Sequence, residues 1–230
     1  MDLTRQRVTP SCPKTEKDRL HPVLFKAVNR HDSSRFFQKY IFYISELPTD
    51  VWIWRNDEIV SEHLEALKYV VDLELTGCRG ITDVSSLATG NVEKLRLGFC
   101  DKITDVSALG DSSVYVLSLS GCRKITDVSS LGNMLTLNLS FCDGVKDVSA
   151  LGGVYNLDLS HCKGVTDVSA LGRVHILNLS GCTGVTDVRA LGKVHTLDLT
   201  GCDNLPLDSV YHLSNVKNLK LPSHLLATNH

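Results

Sequence analysis

Seven cysteines stand at Cys78, Cys100, Cys122, Cys142, Cys162, Cys182 and Cys202, spaced 22, 22, 20, 20, 20 and 20 residues apart. This regularity constrains the fold more than any other feature, because a unit recurring at such a period is one coil of a solenoid. Aligned on the cysteines, the unit reads V-x-x-L-x-L-(S/T)-x-C-x-x-(I/V)-T-D-V-x-x-L-G-x, seen cleanly in residues 154–173 (VYNLDLSHCKGVTDVSALGR) and 174–193 (VHILNLSGCTGVTDVRALGK). Leu157 and Leu159, like Leu177 and Leu179, alternate with polar residues, the period-2 signature of a half-buried strand. A second apolar set, Val165, Val168 and Leu171, lies three residues apart, as a 3₁₀ turn demands. Some six apolar side chains per unit, worth roughly 1.5–3 kcal/mol each, can be buried only against neighbouring units, so the array must be cooperative.

The pattern resembles the leucine-rich repeat, L-x-x-L-x-L-x-x-(N/C)-x-(L/I/V), with cysteine where asparagine is commoner. The run after it, I/V-T-D-V-S-x-L, is similar to the short convex segment of the phosphatase-regulator-like and internalin-like subclasses. Those run closer to about 22 residues per repeat, so the 20-residue units predict tighter convex turns. The resemblance covers residues 70 to 221 in about seven to eight units of 20–22 residues. It implies an α/β solenoid: a leucine-rich-repeat horseshoe with a parallel concave sheet, short 3₁₀ or turn segments on the convex side and an N-terminal helical cap.

A solenoid must cover its ends, which otherwise expose apolar core and an unpaired strand edge. After a tail over residues 1–15 expected to be disordered, apolar stretches around Leu20–Val28, Phe36–Ile44 and Ile59–Leu67 have helical spacing and predict a cap over 16–69. Within it, Glu46–Trp52 (ELPTDVW) resembles the opening of an F-box, which implies docking of a ubiquitin-ligase subunit through Leu47 and Pro48. Too few residues separate Trp52 from Val70 for a complete F-box. At the other end Asp208–Leu213 predicts a longer convex helix and Val216–Leu221 one more strand. Pro222 then withholds a ladder donor and opens a tail over 222–230.

A formal charge of −2, with no run of Lys or Arg, gives no field to attract nucleic acid or an anionic membrane. Nowhere do about 18 apolar residues run together as a membrane span requires, and the first residues lack the apolar core of a signal peptide, so a cytoplasmic protein is expected. The cysteines form a single file without a CxxC pair, which fits neither a tetrahedral zinc site nor a disulfide framework, and they predict reduced structural thiols. The row Asp83, Asp105, Asp127, Asp147, Asp167 and Asp187 precedes each convex turn, where a carboxylate can act as an N-cap. Ser, His and Asp recur as rows rather than as one cluster, and no phosphate loop, HExxH or GxSxG is present, so no enzyme, cofactor or metal is expected. His175 and His195 hold equivalent places on adjacent strands, but only carboxylates out of line could complete a metal site there.

Residues flanking the strand leucines point away from the core. The central column reads Glu74, Arg96, Ser118, Asn138, Asp158, Asn178, Asp198, Lys220, and the next, Thr76, Ser120, Ser140, Ser160, Ser180, Thr200, is nearly all hydroxyl. Ahead of the strands Tyr115, Leu135, Tyr155, His175 and His195 form a file, and past them lie Phe99, Phe141 and His161. Aromatic groups on a rigid surface suit binding hot spots. The candidate partner-binding residues are Arg96, Phe99, Tyr115, Asn138, Tyr155, Asp158, His175, Asn178, His195 and Asp198. They make the expected function a non-catalytic scaffold for a protein partner. Two rivals stand beside it: an F-box-like adaptor of a ubiquitin ligase, and an adhesion-type surface protein.

Overall fold

A computed structural model of the chain describes residues 50–52, 55, 57 and 59–226. Among the described residues nine strands form one parallel sheet in strict sequence order: β1 (Asp50–Trp52), β2 (Asp72–Glu74), β3 (Lys94–Arg96), β4 (Val116–Ser118), β5 (Thr136–Asn138), β6 (Asn156–Asp158), β7 (Ile176–Asn178), β8 (Thr196–Asp198) and β9 (Asn218–Lys220). Register is set by the leucines: Leu73 lies opposite Leu95, Leu137 opposite Leu157 and Leu197 opposite Leu219. A slip of one residue would turn each buried leucine out to water, so the alternation fixes the pairing. In the coil 154–173, Val154, Leu157, Leu159, Cys162, Val165, Val168 and Leu171 are all buried. Stacked coils thus share one continuous core.

The convex side carries 3₁₀ segments at Ser107–Asp111, Ser129–Leu131, Ser149–Gly153, Ser169–Arg173 and Arg189–Leu191. The tighter turn expected of the 20-residue units has a specific origin. In these units the backbone N–H that closes the 3₁₀ turn already belongs to the next coil's first core residue: Met134 to Leu131 O, Val154 to Leu151 O, Val174 to Leu171 O, Val194 to Leu191 O. In the 22-residue units the same bond is made by Gly90 and Ser112, and the first core residues Val92 and Val114 come two positions later. The glycine after the convex leucine is required by the stacking, since a Cβ on Gly152 or Gly172 would lie 2.4 Å from the next coil's Ala170 or Ala190 carbonyl oxygen.

Each aspartate of the convex row works one residue earlier than an N-cap. Valine holds the cap position, and Asp83, Asp105, Asp127, Asp147, Asp167 and Asp187 accept the backbone N–H two residues on at 2.8–2.9 Å. This is an Asx turn, in which a short side chain reaches a local donor that the turn leaves unpaired. The backbone bond holds the carboxyls of Asp105, Asp127, Asp147 and Asp167 below the ordinary value, and the Arg189 side chain brings Asp187 down to about 2.

The cysteine row lies inside. All seven are buried. The Sγ of Cys100, Cys122, Cys142, Cys162, Cys182 and Cys202 donates to the carbonyl of Leu75, Leu97, Leu119, Leu139, Leu159 and Leu179 in the preceding coil, at 2.9–3.3 Å. The same carbonyls accept a backbone N–H within their own coil, as Leu139 O does from Cys142, so the thiol fills a second lone pair. Burial pushes the thiols of Cys122, Cys142, Cys162 and Cys182 up to about 12 and that of Cys202 to about 11, and raises Cys100 as well.

Two boundaries differ from the sequence reading. The cap was expected to run to residue 69, yet Asp50–Trp52 pair in parallel with β2, and Arg55 N–H continues the ladder to Thr76 O. The end of the F-box-like stretch is therefore extended strand rather than the start of a helix, because the open edge of β2 takes a strand partner there. The helix α1 (Ser61–Leu67) replaces the convex segment of this first coil, with Ile59, Leu64 and Leu67 buried against the array. Residues 1–49, which include Cys12, Leu47, Pro48 and the remainder of the expected cap, lie outside the described residues. At the far end the expected tail includes a short helix, α2 (Ser223–Leu226), which buries Leu225 and brings His224 Nε2 within 3.0 Å of Leu205 O. Residues 227–230 lie outside the described residues. Among the described residues no helix is long and apolar enough to cross a membrane.

Candidate binding surface

The outward face of the sheet puts the central column on view, but much of its hydrogen-bonding capacity is used locally. Asn138, Asp158, Asn178 and Asp198 each accept, through Oδ1, the backbone N–H two residues on, at 2.8–3.0 Å. These bonds close the turn at the end of β5 to β8, so the column serves the fold before it can serve a partner. Charges at both ends are matched internally: Arg96 pairs with Asp72 and Glu74, and Lys220 Nζ lies 2.9 Å from Asp198. Asp158, midway along, has no ion-pair partner among the described residues, and its second carboxylate oxygen is not engaged by Ser160. The hydroxyl column is not open surface at its centre. Ser140 and Ser160 are buried, and Ser120 Oγ and Ser140 Oγ share a 2.7 Å hydrogen bond.

Aromatic side chains line both edges of this face. On the leading edge Tyr155 stacks on His175 with ring centres 4.7 Å apart, and His175 on His195 at 4.5 Å. Tyr155 is 49% exposed, Leu135 also projects, and Tyr115 Oη donates to Glu93 at 3.2 Å. On the trailing edge Phe141 stacks on His161 at 4.5 Å, while Phe99 and Phe141 remain 52% and 43% exposed. Their backbone is unusual. The trailing position has positive φ at Gly77, Gly121, Gly181 and Gly201, at 71–76°, at Phe99, Phe141 and His161, at 59–60°, and at Arg55 in the first coil, at 49°. A residue with a Cβ costs roughly 1–2 kcal/mol in this conformation, and glycine costs none of that strain. The glycines also make room for rings, since a Cβ on Gly121 would lie 2.6 Å from Phe99, and one on Gly181 2.5 Å from His161.

The structure therefore divides the ten sequence candidates. Phe99, Tyr115, Tyr155, His175 and His195 sit on the two aromatic edges. Arg96 and Asp198 are held in ion pairs, Asn138 and Asn178 in turns, and Asp158 alone presents an unmatched charge between the edges. Phe141 and His161 complete the trailing edge. Their signal was present in the sequence as a row that holds glycine or a ring after Arg55, but what that row means depends on φ. No three His, Cys, Asp or Glu side chains converge on a common point among the described residues.

One parallel strand per coil, an inward leucine ladder and convex turns of 3₁₀ type leave one architecture. The chain has the leucine-rich-repeat fold. It can be superimposed on the leucine-rich repeat domain of the type III effector XopL with a TM-score of 0.54 and 15% identity, covering 97% of this chain and 100% of that one. An internalin C2 of Listeria monocytogenes gives a TM-score of 0.51 and 15% identity, covering 80% and 91%. The internalin InlF of Listeria monocytogenes is 23% identical with a TM-score of 0.49, over 79% of this chain and 62% of its own, so the leucine-rich-repeat chain spans under two thirds of that protein's length. No protein-family model matches the sequence, and no curated protein does.

Proposed function

We propose that this leucine-rich-repeat chain is a non-catalytic interaction scaffold that binds a protein partner across the concave face of its sheet, between the two aromatic edges. The observation that carries this reading is the strain at Phe99, Phe141 and His161. Four other coils satisfy the same backbone with glycine, so the fold does not call for rings at these positions, and exposed aromatics retained at a conformational cost point to use at an interface. Tyr155, His175 and His195 supply the facing edge. The rows of Ser, His and Asp on this face are engaged in turns and stacking, which suits a surface built for contact rather than for reaction.

The test replaces Phe99, Phe141 and His161 together by glycine, the residue four other coils already use. Full-length wild type and variant are used as bait in cell extract and the captured proteins quantified by mass spectrometry. Partners of the wild type should be lost from the variant while its circular dichroism is unchanged. Equal capture by both would overturn the concave-face reading.

A further inference from the structure

Among the described residues, Asp158 is the one carboxylate of the central column without an ion pair, and it lies at the centre of the aromatic frame. We infer that Asp158 is the specificity point of this surface and that the partner is a peptide segment presenting a lysine or arginine side chain to it, an inference that rests on the concave-face reading above. The face neutralises its other central carboxylates itself, Asp72 and Glu74 through Arg96 and Asp198 through Lys220. At Asp158 the neighbouring coils offer only the uncharged Asn138 and Asn178 in register. Oδ1 is committed to Ser160 N–H, so the carboxylate is held in a fixed orientation with its second oxygen available.

The surroundings suit a cation with an aliphatic stem. Asp158 lies three residues from Tyr155 on the leading edge, about 10 Å at strand rise, and three residues from His161 on the trailing edge, across the turn that ends β6. A basic side chain lying along this line sets its charge against the carboxylate. Its methylenes, or the neighbouring residues of the segment, lie against the Tyr155 and Phe141 rings, where a cation is also attracted to the ring face. A partner with an acidic residue at this point would meet an unscreened like charge, so one position both attracts and excludes.

The array supplies its own control. Asn occupies the equivalent place in the coils on both sides and makes the same turn bond at 2.8 and 3.0 Å, so Asp158→Asn removes the charge and keeps the acceptor. Alanine or lysine would lose the Ser160 bond and confound charge with folding. Random peptides displayed on phage are selected on the full chain, synthesised, and their affinities measured on wild type, Asp158→Asn and a Tyr155→Ala/Phe141→Gly double variant. Selected peptides should carry Lys or Arg, bind Asp158→Asn about tenfold more weakly or worse, and be lost on the double variant. Peptides that need the aromatic edges but lack a basic residue, or bind Asp158→Asn as tightly as wild type, overturn the inference and leave the concave-face reading standing. Peptides indifferent to both variants, or no selection at all, overturn both.

Discussion

The row inside the coil and the row at the strand's trailing end recur at the same period and behave in opposite ways. The inner row is cysteine seven times running, while the trailing row passes from glycine to phenylalanine to histidine and back. Inside, a side chain is enclosed by two coils and must fit a fixed volume and donate to a fixed carbonyl, so only a small donor side chain, here cysteine throughout, meets both demands. At the trailing end the fold asks only for positive φ. Where a ring stands there it is exposed or stacked, as Phe141 is on His161.

The largest effect should come from the enclosed side. Leu159→Ala removes a fully buried side chain between coils and should cost about 2–5 kcal/mol, read from the urea midpoint. A loss far below that range would mean the coils are loosely nested, and the contrast between the rows would weaken. Cys162→Ala, which forfeits the 3.0 Å bond to Leu139 O and a little volume, should cost about 1–2 kcal/mol. With all seven enclosed and the thiols of Cys142 and Cys162 near 12, aromatic disulfide reagents at neutral pH should leave the row unmodified in the native protein and label it in urea. Fast native labelling would contradict an enclosed row.

On the trailing side the predicted effect is small. Phe141→Gly relieves positive-φ strain but gives the unfolded chain more freedom and loses the stack on His161, so stability should change by no more than about 1 kcal/mol. A loss comparable to that of Leu159→Ala would make the ring structural and reverse the lesson of the comparison. The exposed aspartate row should give the smallest effect. The folded carboxyls of Asp105, Asp127, Asp147, Asp167 and Asp187 titrate below the unfolded value of about 3.9, so their contribution is complete above about pH 4 and is lost as pH falls through the folded values, near 2 for Asp187. The melting temperature should therefore decline from pH 4 towards pH 2. Replacing Asp147 and Asp167 by Asn, which keeps the acceptor without the titration, should flatten that decline, and an unaltered acid limb would remove these residues from the account.

The solenoid, its parallel sheet, the inward leucines and cysteines and the convex turns were legible in the sequence, because each coil repeats one local solution and the apolar period states it directly. The first strand was not. Alignment on cysteine missed Asp50–Trp52, although the residue 22 places before Cys78 is Asn56, the commoner occupant of that position in leucine-rich repeats. The binding surface was legible as columns of residue types but not as a site. Sequence alone placed Arg96, Asp158 and Asp198 in one column. Only the folded array shows that two of them are neutralised by neighbours and one is not, because each ion pair joins side chains more than 20 residues apart across a strand boundary. The same holds for Phe99, Phe141 and His161, whose identities stand in the sequence while their strain resides in φ. That angle is fixed by how one coil must turn to lie upon the next, and the tertiary structure alone decides it.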